Sequence, residues 1–322
     1  MSPLNRRKFL SFAAAALPCD VLGNTPTPII DTHIHLFDPT RPQGVPWPPK
    51  DDAMLYKPAL PARFIRLTQA LGVVGAIEIE ASPWLEDNQW VLGIAAKNPI
   101  IVGTVGDLEP GQAGFRNQLE RFSKNPMFRG IRYGNLWGRD LGARLAEPAF
   151  IADLKALADA GLEMDTANPD PALIDDVVRL TDKVPALRVV IDHLPRLQKP
   201  GDLMARRACE ENLRKLGGRP QVYVKVSGVL QRVNGRVPLD LATYRPVLDQ
   251  LWEIFGEDRL LYGSDWPNSD TWGTYVQELE VVRGYFVEKG RRAEEKFFWK
   301  NSLAAYRWVR RDNTQPAAIQ PS

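Results

Sequence analysis

The chain has 322 residues, 44% apolar and 25% charged, which is ordinary globular usage and enough to build a large core. It carries 41 basic and 39 acidic residues; without Arg6, Arg7, Lys8 and Asp20, which lie in a segment read below as removed on export, the two signs balance at 38 each. A neutral chain has no electrostatic basis for binding nucleic acid or an anionic membrane, and both are excluded as expected partners.

Residues 1–23 read as a twin-arginine export signal: Asn5-Arg6-Arg7-Lys8-Phe9-Leu10-Ser11, the apolar stretch Phe9 to Leu17, then Val21-Leu22-Gly23 as a small-residue cleavage site. The stretch is too short for a bilayer, which takes roughly 20 residues of helix, so no membrane anchor is expected in the mature chain. The expected location is the periplasm, with the twin-arginine machinery as a partner during export. Only Cys209 remains after processing, which leaves no intramolecular disulfide.

Residues 24–312 are expected to form one domain, and 313–322 a disordered tail. Short apolar runs predict strands at Ile29 to Asp31, Val73 to Glu80, Ile100 to Gly106, Phe128 to Arg132, Leu162 to Asp165, Arg188 to Asp192, Val222 to Val226 and Leu260 to Gly263. Between them, apolar residues recur at helical spacing: Phe64, Leu67 and Leu71; Phe115, Leu119 and Phe122; Phe150, Leu154 and Leu157; Leu173, Val177 and Leu180; Val247, Leu251 and Ile254. Eight strands alternating with helices predict a single closed (β/α)₈ TIM barrel. The Pro-rich stretch Pro39 to Pro49, holding Trp47, follows the first strand and reads as a loop at the substrate mouth.

The chain has three histidines, each at the downstream end of an apolar run: His33 and His35 after the first strand, His193 after the sixth. Asp265 closes the eighth run in the same way. Residues two apart on a strand share a face, so His33 and His35 are expected to meet inside the barrel. The same alternation predicts that Asp31 lies beside them and holds a histidine nitrogen. Phosphate-cradling glycine loops and a Gly-x-Ser-x-Gly elbow are absent from the sequence, which argues against a nucleotide enzyme and a serine hydrolase.

Ile30-Asp-Thr-His-Ile-His-Leu-Phe-Asp38, Phe128-Arg-Gly-Ile-Arg132, Val190-Ile-Asp-His193-Leu-Pro195, Val224-Lys225-Val-Ser-Gly228, Tyr262-Gly-Ser-Asp265-Trp-Pro-Asn268 and Lys300-Asn-Ser-Leu-Ala-Ala-Tyr306 occur in that order. Together they resemble the amidohydrolase superfamily, and within it the TIM-barrel lactonase branch that includes L-fuconolactonase and 2-pyrone-4,6-dicarboxylate lactonase. The resemblance runs from about residue 28 to 308. It implies a hydrolase acting on a small-molecule lactone or carboxylate. The strand-four lysine and strand-five histidine of binuclear members are missing, since these strands end in Arg132-Tyr133 and Asp165. The resemblance therefore implies one divalent metal, zinc, held by His33, His35 and Asp265 with His193 or Glu80 completing the set, or no metal at all, since the branch includes metal-independent enzymes.

Lactone hydrolysis needs a base for water and something to stabilise the oxyanion. Asp265 is the expected base, with His33, His35 and His193 polarising the carbonyl or orienting water. Arg132 and Lys225 are candidate holders of a substrate carboxylate, or else partners of Glu80 and Asp165 in buried ion pairs. Trp84 and Trp266 are candidate walls against a ring substrate. The competing readings are a zinc-dependent decarboxylase of an aromatic acid and a non-catalytic periplasmic ligand-binding barrel.

Overall fold

The computed structural model describes residues 26–317; the expected export signal, 1–23, lies outside this range. Eight strands, β1 (Ile29–Ile34), β2 (Val73–Ile79), β3 (Ile101–Gly106), β4 (Phe128–Arg132), β5 (Glu163–Asp165), β6 (Arg188–Ile191), β7 (Val222–Val226) and β8 (Leu260–Tyr262), follow in that order round one sheet. Every consecutive pair is parallel. β8 returns to β1 through a bridge between Ile34 and Trp266 and through the Thr32 hydroxyl, which donates to the Tyr262 carbonyl at 2.6 Å. This is the expected (β/α)₈ barrel.

Three crossover helices begin where the sequence supplies a cap. Asp170, Asp202 and Asp240 each accept a backbone N–H three residues on, at the heads of Pro171–Lys183, Leu203–Gly217 and Leu241–Phe255. Inner helix faces close the layer against the strands: Phe150, Leu154 and Leu157 of Pro148–Asp159, then Leu173, Val177 and Leu180 of Pro171–Lys183, are buried. In Leu241–Phe255 the buried stripe is Tyr244, Leu248, Leu251 and Phe255. Val247 and Ile254 are only partly buried, so the expected stripe is rotated, because large aromatics at either end of the helix set its face.

Inside the barrel Ile30, Ile77, Val102, Val190 and Leu261 pack on Trp299, Ala305, Tyr306 and Trp308 from the end of the chain. That segment closes one end of the barrel, with the Ala305 carbonyl accepting from Arg188 Nε at 2.7 Å. Order continues into the expected tail: Gln315 is 1% exposed and its amide donates to the Val74 and Pro99 carbonyls at 3.0 and 2.9 Å. Residues 313–317 are therefore ordered, where the sequence predicted a disordered tail from 313. Residues 318–322 lie outside the described range. Among the described residues no helix is long and apolar enough to cross a membrane, and Cys209 is buried in its helix.

Candidate active site

The three histidines and Asp265 converge. His33 Nε2 lies 3.3 Å from His35 Nε2, and Asp265 Oδ1 is 3.7 Å from His33 Nε2, 3.3 Å from His35 Nε2 and 3.8 Å from His193 Nε2. His33 belongs to β1 and His35 follows it; His193 and Asp265 stand on the turns after β6 and β8, both in left-handed backbone with φ of 51° and 59°. Non-glycine residues adopt this conformation at a cost, and here it turns both side chains toward the common centre.

Each ring is fixed from behind. His35 Nδ1 bonds the Ile79 carbonyl at 2.9 Å; a carbonyl only accepts, so in the neutral ring Nε2 presents a lone pair to the centre. His193 Nδ1 bonds the Ser227 hydroxyl at 2.8 Å. His33 Nδ1 sits 3.3 Å from Lys225 Nζ and 3.6 Å from Asp192 Oδ1. Burial, joined by the Lys225 charge, holds His33 well below its ordinary pKa, and burial lowers His193 to about 4, so both are neutral at pH 7. For Asp265 burial alone would raise the pKa; His193, the His35 contact and Arg196 outweigh it and hold the carboxyl well below its usual range. At neutral pH, with the His193 ring uncharged, the Arg196 guanidinium 3.5 Å from Oδ2 and the Asn268 amide donating to Oδ2 at 2.9 Å keep it ionised.

Asp265 Oδ1 is buried without a hydrogen-bond partner. An orphan anionic oxygen facing imidazole lone pairs is the donor set of a divalent cation. His33, His35 and Asp265 form one such group, and His33, Asp192 and His193 a second that shares His33. The residues therefore fit a single ion at His33, His35 and Asp265, with His193 alongside; Glu80 is not in either group.

A cavity of about 270 Å³ opens over this cluster, lined by His35, His193, Asp265, Arg132, Trp47 and Trp137, with Glu80, Arg196, Asn168 and Asn268 adding polar edges. Arg132 reaches it but donates to Asp192 Oδ2 at 3.1 Å and lies 3.9 Å from Glu80 Oε1. Two expected aromatic contacts are corrected, and for Lys225 the structure holds the alternative expected from the sequence, a buried pair with Asp165. Lys225 is fully buried beneath the cluster, paired with Asp165 and, at 3.0 Å, with Asp192, so it cannot reach a ligand. Trp266 is also fully buried, its ring packed on Phe64 at 5.3 Å, outside the cavity. Trp84 precedes the helix Leu85–Lys97 and does not line the cavity. The aromatic walls are Trp47, from the Pro-rich loop, and Trp137, whose indole N–H donates to Glu80 at 3.1 Å.

Asp31 is corrected too. The register breaks between Asp31 and Ile34, so simple alternation fails there. Its carboxylate accepts from the backbone N–H of His33 and Ser264 and from the Tyr275 hydroxyl, tying β1 to the β8 turn and touching no imidazole nitrogen. Sequence reading also missed Arg196, Ser227 and Trp137. Ser227 and Arg196 do adjoin or follow motifs already marked, Val-Ser-Gly228 and His193-Leu-Pro, but nothing local indicates that they reach the site.

The sequence profile of the amidohydrolase family matches residues 30–308. The chain belongs to this family. This amidohydrolase is 27% identical over 300 residues to an L-fucono-1,5-lactonase of Burkholderia ambifaria, a match covering 89% of this chain and 98% of the relative. A second L-fucono-1,5-lactonase, from Burkholderia multivorans, is 26% identical over 286 residues, covering 85% and 94%. Among solved structures, an amidohydrolase of Burkholderia multivorans with bound zinc superposes with a TM-score of 0.75 at 21% identity, covering 87% of this chain and 99% of that one. That likeness carries the shared barrel fold.

Proposed function

We propose that this amidohydrolase opens the ring of a sugar-acid lactone by base-assisted attack of water. The observation that carries the reading is the orphan Asp265 Oδ1, ionised and ringed by three imidazole nitrogens on the floor of a cavity. Water held beside it gives a proton to the carboxylate as its oxygen attacks the lactone carbonyl. The ring C–O bond then breaks, and the leaving alkoxide takes the proton back from Asp265, giving a hydroxy acid. His193, neutral and oriented by Ser227, lies where it can align water or the ring oxygen. Zinc is the proposed ion for His33, His35 and Asp265; bound there it would supply Lewis-acid polarisation and acidify water.

With Arg132 already engaged by Asp192 and Glu80, Arg196 is the one guanidinium left in the lining among the described residues, so a polyhydroxylated ring suits the cavity better than a lactone bearing two carboxylates. Trp47 and Trp137 offer apolar faces to a sugar ring, and Asn168, Glu80 and Asn268 offer hydrogen bonds to hydroxyls. The two lactonase relatives support the same substrate class. The Arg6-Arg7 signal supports a periplasmic location, reached through the twin-arginine machinery. The test is a panel of aldono-lactones, scored by acid release, beside aromatic acids scored for carbon dioxide. Acid release from the sugar lactones is the expected result; carbon dioxide from aromatic acids, or tight binding with no turnover of either class, would overturn it in favour of a decarboxylase or a binding protein.

A further inference from the structure

The cavity holds a cation, Arg196, whose charge has so far been matched only with Asp265. Arg196 ends the short turn Leu194–Arg196 that follows His193, and its side chain is 25% exposed at the cavity wall. The guanidinium is held in place from one side only. Nε donates to the Gly228 carbonyl at 3.1 Å, and the plane lies against Gly228 so closely that a Cβ there would collide with Nε, Cζ and Nη2. The Trp272 ring sits 5.7 Å away. Gly228 also has φ of 60°, so two requirements, the left-handed backbone and room for the guanidinium, converge on a glycine. On the other side Nη1 faces Asp265 Oδ2 at 3.5 Å, beyond hydrogen-bond reach, whereas Nη2, on the Gly228 side, is buried with no partner. A guanidinium braced on one face, whose Nη1 meets Asp265 by charge without a close hydrogen bond, keeps donor capacity for an oxygen anion arriving beside the base. Arg132, the other arginine lining this cavity among the described residues, already donates to Asp192.

We infer that Arg196 binds the carboxyl oxygen that gains negative charge when the lactone opens, and then holds the carboxylate of the hydroxy-acid product. This rests on the lactonase reading and adds to it a substrate-contacting residue. As water adds and its proton goes to Asp265, the carbonyl π pair moves onto oxygen, which accepts from Nη1. When the ring C–O bond breaks, that oxygen becomes half of the product carboxylate, still facing the guanidinium. The same charge that holds Asp265 ionised thus attracts the product, so the open acid is a product inhibitor.

The experiment compares the full-length wild type with Arg196→Ala and Arg196→Lys on a lactone that the wild type turns over. It measures kcat/KM, inhibition by the open hydroxy acid, and inhibition by the matching alditol, which has the hydroxyls but no carboxylate. In Arg196→Ala kcat/KM is expected to fall about 10²- to 10³-fold, in the range for losing an oxyanion donor. The hydroxy acid should bind at least about tenfold more weakly while the alditol binds as before, and added guanidinium chloride should restore part of the rate. Arg196→Lys keeps the charge without the fork and is expected to fall between. Equal weakening of acid and alditol, or a kcat/KM near that of the wild type, would overturn the inference. A wild type that opens no lactone removes the underlying activity instead, and the two failures are distinct.

Discussion

Asp265 remains ionised although only 1% of it is exposed, because its two oxygens have different neighbours. Oδ2 is held by the Asn268 amide and the Arg196 charge, while Oδ1 has no donor and faces three imidazoles. The oxygen that lacks a hydrogen bond is the one free to take a proton or a cation. Asp265→Asn keeps the shape and removes both capacities, so kcat should drop at least about 10³-fold with little change in melting temperature; a rate within tenfold of wild type would dismiss Asp265 as the base. Metal dependence belongs to the same atoms. Exhaustive chelation is expected to lower both activity and melting temperature, with zinc restoring both, because an ion bound by the native cluster stabilises it by mass action. Activity that persists in protein shown metal-free by elemental analysis would leave Asp265 and the imidazoles to act alone.

Single elements carry their own measurable costs. Asp170 accepts the Leu173 N–H at 2.8 Å to start Pro171–Lys183, and Asp170→Ala should destabilise the protein by about 1 kcal/mol in denaturant unfolding without changing turnover. On the helix Tyr275–Glu288, Glu278 is 2% exposed and accepts the Val229 N–H at 2.9 Å. Burial raises its pKa to about 8. The folded state therefore binds this proton more tightly than the unfolded chain does, where the value is about 4.5. The stability it contributes is complete below about pH 4.5 and is lost as pH rises toward 8. Glu278→Gln keeps an acceptor for Val229 and cannot ionise. Its melting temperature should exceed that of wild type at pH 8.5 and approach it at pH 5; the opposite trend in calorimetry would refute the burial argument.

Across the whole molecule, the barrel closes around buried charge. Lys225 on β7 bridges Asp165 at the end of β5 and Asp192 after β6, burial opposing its charge and the two carboxylates outweighing that, so its pKa is raised. Asp165 also accepts from the Tyr306 hydroxyl at 2.9 Å, which links the barrel centre to the segment closing its end. Removing one partner strands the others without solvent, so Lys225→Met should cost about 3–5 kcal/mol in global unfolding. It should weaken substrate binding no more than it weakens the fold, since the side chain reaches no cavity. A large rise in KM with unchanged stability would reinstate Lys225 as a substrate-binding residue.

Strand order, the single barrel and the four residues at its centre could be read from the chain alone. Those signals are local: apolar period, and scarce histidines placed at strand ends. Sequence alone could not decide the far side of each residue. The register break after Asp31 sent that carboxylate away from the histidines, and the fully buried Lys225 and Trp266 left the lining to Arg196, Trp47 and Trp137. Which side chains face a cavity depends on twist, register and the loops arriving from distant parts of the chain, so only the tertiary structure fixed the walls of the site whose floor was already legible.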